Sequence, residues 1–263
     1  MRFDYAEYRP AAELAGYIAS YWSFDVTSDA PSLTHEVLPD GCISLACRMA
    51  ADGAASLVAL GPRLTPFLVP VHGGDRYFGI RFWPDAGGAV LRTPAEGLRD
   101  AVVPAADLLG GIGDKIVSHI ATAADPWDRV RACDHALRPV IARATQLDAP
   151  VRAALTLLLA AGGDLPIRTL AERTGAGTCQ LQRRFRRAVG LTMKEFARIR
   201  RVRVAAAALL DAEPASAAQL FVRGAEEPVQ FGTVQLRTVV GHACMLIQRP
   251  SKRQGRLRRR SFL

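Results

Sequence analysis

Metal-binding and redox spacings are missing from this chain. Its five cysteines (Cys42, Cys47, Cys133, Cys179 and Cys244) form no CxxC pair and no CxxC–HxxxH set. Neither a zinc site nor a disulfide framework is therefore supported, and no metal or cofactor is expected. His35, His72, His119, His135 and His242 are isolated, His35-Glu36 has no second ligand, and no GxSxG elbow or Walker loop occurs. No catalytic constellation assembles, so a binding protein is expected rather than an enzyme. Long apolar runs are also lacking. The longest, 153–161, is broken by Thr156 and falls far short of the ~20 residues of a membrane span. Residues 1–8 lack the apolar segment of a secretory leader. No membrane partner is expected, and the chain reads as cytoplasmic.

Acidic residues are scarce in one half only. Residues 151–263 hold 21 Lys/Arg against 7 Asp/Glu, whereas residues 1–150 hold 13 against 18. A mildly acidic half joined to a strongly basic one points to a polyanion as partner of the basic half. Hydrophobic residues make up 49% of 263, enough for buried cores in two domains of ordinary size.

Residues 11–23 carry apolar residues at helical or strand spacing. Short apolar runs follow at 42–46, 56–60, 66–71 and 77–82. They are separated by turn formers such as Pro39-Asp40-Gly41, Gly61-Pro62 and Gly73-Gly74-Asp75, a spacing that suits a small β-rich domain. Residues 85–109 turn more helical, and Gly110-Gly111-Ile112-Gly113-Asp114 reads as a loop. Residues 114–160 are helical in pattern. Within 127–147, Val130, Cys133, Leu137, Val140 and Ile141 recur at three and four, with Asp125-Pro126 as a start. A new helix opens near 146–150 with Asp148 as N-cap.

The basic half has an internal design. Ile167, Leu170 and Ala171 form the apolar stripe of a short helix. Gly175 can adopt the positive φ that ends it. A second helix from about Thr178 turns Leu181, Phe185, Ala188 and Val189 inward. Its other face shows Thr178, Gln180, Gln182, Arg183, Arg186 and Arg187. Thr and Gln can reach base edges, and Arg can reach guanines or phosphates. Ordinary helical hairpins share this outline, but several arginines on one helix are costly unless a polyanion is near. Thr192 and Glu195 then form a capping box for a helix to Leu210, with stripe Phe196, Ile199, Val202, Ala206 and Leu209. Its ~18 residues span ~27 Å, near the ~34 Å between successive major-groove faces, so it suits a spacer between two reading heads. There is a downstream echo: Leu181, Phe185 and Gly190 have counterparts at the same offsets in Gly232, Leu236 and Gly241.

Residues 151–249 resemble the double helix-turn-helix domain of AraC/XylS-type transcription regulators. In the first unit, Leu170-Ala171, Gly175, Leu181-Gln182-Arg183, Phe185, Gly190-Leu191 and Lys194 fall at the family's positions without a gap. The resemblance implies that Thr178, Gln180, Gln182, Arg183 and Arg186 face DNA. Gly177 stands where the family usually has the Ser that caps the helix, and Cys179 where Arg is common. The second unit departs further. Gly224-Ala225 replaces a Gly-Phe turn, Gln219 sits where an apolar residue is expected, and the segment before Gly241 has one residue too many. That second head is expected to be altered, with Gln230, Thr233 and Gln235 still able to touch DNA.

Tyr17-Ile18, Tyr21-Trp22, Leu38-Pro39-Asp40-Gly41-Cys42, Leu60-Gly61-Pro62, Gly79-Ile80-Arg81-Phe82 and Val103-Pro104 resemble the uncharacterised domain that often precedes this DNA-binding domain. That implies sensing or dimerisation. Arg81 and Trp83 are the candidates for an acidic effector. Some proteins with this DNA-binding domain carry an alkyl-accepting cysteine, but Cys42 and Cys47 have no thiolate-stabilising neighbour in sequence.

The expectation is thus an α+β protein: a β-rich N-terminal domain followed by an all-α double helix-turn-helix DNA-binding domain. Residues 1–112 form the sensor or dimerisation domain, 113–147 a helical linker, 148–249 the DNA-binding domain with a divergent second unit, and 250–263 a basic disordered tail. The partners expected are double-stranded DNA, a small-molecule effector and a second copy in a homodimer, in a bacterial cytoplasm and on the nucleoid when DNA is bound. The alternative is a ligand- or partner-binding protein whose DNA module has partly decayed.

Overall fold

The computed structural model describes residues 2–27 and 33–211. Six strands form one antiparallel sheet, in the spatial order β1 (Arg2–Tyr8), β2 (Ile18–Thr27), β7 (Arg76–Phe82), β4 (Ser44–Met49), β5 (Ala55–Leu60) and β8 (Val102–Pro104). A separate antiparallel ribbon pairs β3 (Leu33–Val37) with β6 (Phe67–Val71). Short helices α1 (Gly87–Val90) and α2 (Ala105–Leu109) lead into α3 (Gly111–Thr122) and α4 (Pro126–Ile141). Then come α5 (Ala149–Ala160), α6 (Ile167–Thr174), α7 (Thr178–Val189) and α8 (Met193–Asp211). The layout is α+β, with a β-rich N-terminal part and a helical C-terminal part. None of the described helices is long and apolar enough to cross a membrane.

Strand alternation sets the first core. In β4, Leu45, Cys47 and Met49 are buried while Arg48 points to solvent, the period-2 signature of a strand with one covered face. Phe78, Ile80 and Phe82 of β7 join them, along with Tyr21 of β2. The helices α3 and α4 close this face with Ile116, Ile120, Val130, Cys133 and Leu137. The Tyr21 hydroxyl donates to Asp134 Oδ1 at 2.8 Å, so the phenol is buried with its polar end satisfied. The opposite face carries Phe24, Val26 and Tyr77, packed with Val71 of the ribbon. Trp22 lies across β7 at Gly79, its register partner. A Cβ at residue 79 would fall 1.9 Å from Trp22 Cε2, so only glycine allows the indole to lie there.

Several local expectations meet the structure directly. Asp125 caps α4 through the Asp128 N–H, with Pro126 in the first turn. Asp148 caps α5 through the Val151 N–H. Others need correction. Residues 11–23 resolve into a single 3-10 turn, Ala12–Leu14, and then β2. Strands β1 and β3 were not anticipated. The glycine-rich stretch after α2 is not a loop: Gly110, at φ 54°, reverses the chain and α3 starts at Gly111. Val202 lies 48% exposed on α8, outside the apolar stripe assigned to it. Among the described side chains, the buried positions of α8 are Met193, Phe196, Ala197, Ile199, Arg200, Arg203, Ala206 and Ala207, which recur at three and four along one side of the helix. Residue 202 falls on the opposite side.

Candidate nucleic-acid interface

The second core lies wholly among the C-terminal helices. Val151, Ala154, Leu155 and Leu158 of α5 meet Leu170 and Ala171 of α6, Leu181, Phe185 and Val189 of α7, and Phe196 of α8. Phe185 and Phe196 meet edge to face, with ring centroids 5.9 Å apart, a favoured aromatic geometry. Between α6 and α7 the chain turns at Gly175, in the left-handed region at φ 66°. The Gly175 N–H reaches Glu172 O at 3.3 Å and the Ala176 N–H reaches Ala171 O at 3.2 Å, closing the last turn of α6.

Burying Leu181, Phe185 and Val189 turns the rest of α7 outward. Thr178, Cys179, Gln180, Gln182, Arg183, Arg186 and Arg187 are all exposed, so the six candidate DNA-facing side chains of this helix share one accessible surface. Gly177 occupies the N-cap, and no side chain caps the first turn. Its N–H groups are thus open to an outside acceptor. Two arginines of α7, one of them among these candidates, have carboxylate partners. Arg184 Nε donates to Asp148 Oδ2 at 2.5 Å, tying α7 to the cap of α5. Arg186 Nε lies 2.9 Å from Glu96 Oε1, both about half exposed. No ion pair is made by Arg183 or Arg187 among the described residues.

The end of α7 and the start of α8 rest on the N-terminal part. Gly190 takes φ 79° after α7. A Cβ there would come within 2.6 Å of Ala95 O and Pro62 Cγ. The capping box at α8 is complete: the Glu195 N–H donates to Thr192 Oγ1 at 3.1 Å and the Thr192 N–H to Glu195 Oε2 at 2.8 Å. Glu195 also accepts both Nη atoms of Arg99, at 2.9 and 3.2 Å. Burial pushes the Glu195 carboxyl upward, but Arg99 and the Thr192 donors outweigh it, and the group ends below its ordinary value.

The effector candidates have internal partners. Arg81 is buried; its Nη1 donates to Glu7 Oε1 at 2.8 Å, and its Nε lies 3.1 Å from Asp40 Oδ2. The Trp83 Nε1–H donates to Ala15 O at 2.9 Å. Gln230, Thr233, Gln235, the second unit as a whole and the basic tail lie outside the described residues. Among the described residues, no group of three His, Cys, Asp or Glu is placed to hold a metal.

What the sequence did not reveal is the seating of α7 and α8 on residues 95–99. Glu96 and Arg99 sit in a stretch with no periodic signal of its own, and they pair with residues 90 and 96 positions away.

The arrangement is that of a β-sheet unit carrying a compact helical body with one exposed polar and basic helix face. Residues 6–104, which cover most of the sheet, match a family model described as a domain of unknown function (DUF6597). No curated protein and no solved structure matches the chain.

Proposed function

We propose that this chain is a sequence-specific DNA-binding transcription regulator of the AraC/XylS type that acts by binding rather than catalysis. In this reading α6 braces α7 against the duplex, and α7 enters the major groove with Thr178, Gln180, Gln182, Arg183, Arg186 and Arg187. The observation that supports it most is the exposure of that whole face beside a helix start with no side-chain cap. A helix needs that geometry to present Gln and Arg to base edges while its first-turn N–H groups approach a phosphate. The matched domain at residues 6–104 stands where a sensing or dimerisation unit would, with a small molecule and a second copy as its partners. Gln230 and Thr233 would supply a second, weaker contact.

The test is selection of bound fragments from random duplexes, run at two salt concentrations. A preferred sequence should emerge, and affinity should fall steeply with salt. Gln182→Ala and Arg183→Ala should each relax preference at one or two base pairs and cost about 1–3 kcal/mol against the preferred site. Equal affinity for all sequences, with both variants indistinguishable from wild type, would refute the reading. It would favour a ligand- or partner-binding protein with a decayed DNA module.

A further inference from the structure

The arginines on the exposed face of α7 are not equivalent. Arg183 and Arg187 make no ion pair among the described residues, whereas Arg186 Nε lies 2.9 Å from Glu96 Oε1. Arg186 belongs to the last turn of α7. Base edges are read by the N-terminal residues of a recognition helix, so in a major groove Arg186 faces the phosphate backbone.

Glu96 comes from the N-terminal part, and its backbone is fixed there. It sits in the 3-10 turn Ala95–Leu98, between Arg92 at φ 53° and Asp100 at φ 58°, the two non-glycine residues of positive φ among the described residues. Such backbone persists only where its surroundings hold it. Here they do. Ala95 and Leu98 are buried. The Thr93 N–H donates to Gly88 O and the Asp100 N–H to Pro62 O, both at 3.0 Å. A Cβ on Gly61 would fall 1.6 Å from Leu98 O. The helical partner is held as firmly. Phe185 and Val189, on either side of Arg186, are fully buried. Further on, α8 is seated on the Pro39–Cys42 turn, where a Cβ on Gly41 would fall 2.6 Å from the Phe196 ring and Arg203 Nη1 donates to Pro39 O at 3.3 Å. Two fixed backbones thus bring the carboxylate to the guanidinium, although both side chains are half exposed.

We infer that Glu96 competes with DNA phosphate for Arg186, so that the N-terminal part restrains the affinity of α7 for duplex. This rests on α7 being the DNA-contacting helix. A phosphate oxygen accepting from Arg186 must displace the carboxylate or sit beside it, and like charges that close repel each other. Because a phosphate contact carries no sequence information, the restraint acts on every duplex alike. A shift of residues 95–99 that withdraws Glu96 frees Arg186 for the backbone.

Fluorescence anisotropy of the full chain tests it on two labelled duplexes of equal length, one of the sequence recovered by selection and one of mixed sequence, over a series of salt concentrations. Glu96→Gln should bind both about three- to tenfold more tightly and leave the ratio between them unchanged. It should also steepen the fall of log K with log salt by about 0.9, one further phosphate neutralised. With Arg186→Gln also present, the steepening should vanish. Asp52→Asn makes the same change of charge in the exposed turn between β4 and β5, at the other end of β5 from Pro62, and should alter neither affinity nor slope. A gain with Glu96→Gln on the mixed-sequence duplex supports the inference even where no preferred sequence emerges, a result that defeats sequence-specific binding alone. Wild-type binding that Glu96→Gln leaves unchanged or weakens, a gain equalled by Asp52→Asn, or a steepening that survives Arg186→Gln would each overturn the inference while leaving DNA binding intact. No binding of either chain to either duplex would overturn both.

Discussion

Asp148 has two functions with its two oxygens, and replacing it separates them. Oδ1 accepts the Val151 N–H at 3.1 Å, capping α5, and Oδ2 accepts Arg184 Nε at 2.5 Å, anchoring α7. Loss of an N-cap costs about 1 kcal/mol. The ion pair is a quarter to a third exposed, so solvent screening reduces it to about 0.5 kcal/mol. Asp148→Ala should therefore destabilise the chain by about 1.5 kcal/mol. Asn caps as well as Asp but carries no charge, so Asp148→Asn should cost about 0.5 kcal/mol. At roughly 2–4 °C per kcal/mol for a body of this size, the midpoints should fall by about 3–6 °C and about 1–2 °C. Urea unfolding followed by circular dichroism gives the same quantities from the transition midpoint at constant slope. Equal losses for Ala and Asn would refute the division between cap and ion pair. So would an Asp148→Ala chain as stable as wild type.

Phe185→Ala removes a fully buried ring that faces Phe196, and should cost about 3–5 kcal/mol through lost burial and the cavity left behind, read as a lower urea midpoint. Glu195 gives a pH prediction. Its folded carboxyl lies below the ordinary value of 4.5, so the stability it contributes is fully present above that value and is lost as pH falls through the lower, folded one. Glu195→Gln should be less stable than wild type at pH 7, and the gap should narrow below about pH 4.5; a gap independent of pH between 7 and 3 would contradict the assignment.

The helices of the candidate interface were legible because their signals are local. Asp148, Gly175, and Thr192 with Glu195 act within three or four residues of themselves, and each sits in the structure where its chemistry requires. The inward set Leu181, Phe185 and Val189 followed from spacing alone, which in turn fixed the outward face. The sheet was half legible. Strands β4 to β7 are bounded by Gly and Pro turns that mark them, whereas β3 holds His35-Glu36 and looks polar until the Phe24 ring is found stacked on His35. On α8, charge misled. An arginine normally marks a solvated face, yet Arg200 and Arg203 are buried on this helix while Val202, assigned to the stripe, is exposed. Only the position of the 39–42 turn, more than 150 residues upstream, shows which face is covered.

The contact at Gly190 limits how α7 can move. With no side chain at 190, the backbone after α7 lies directly on Ala95 and Pro62, and five residues further on Arg99 grips Glu195 with two nitrogens. The far end of the exposed helix is therefore bolted to a β-sheet unit at a pivot and a clamp a few residues apart. Tilting α7 by even one side-chain width must displace residues 95–99, and any displacement of residues 95–99 must swing its free, uncapped end.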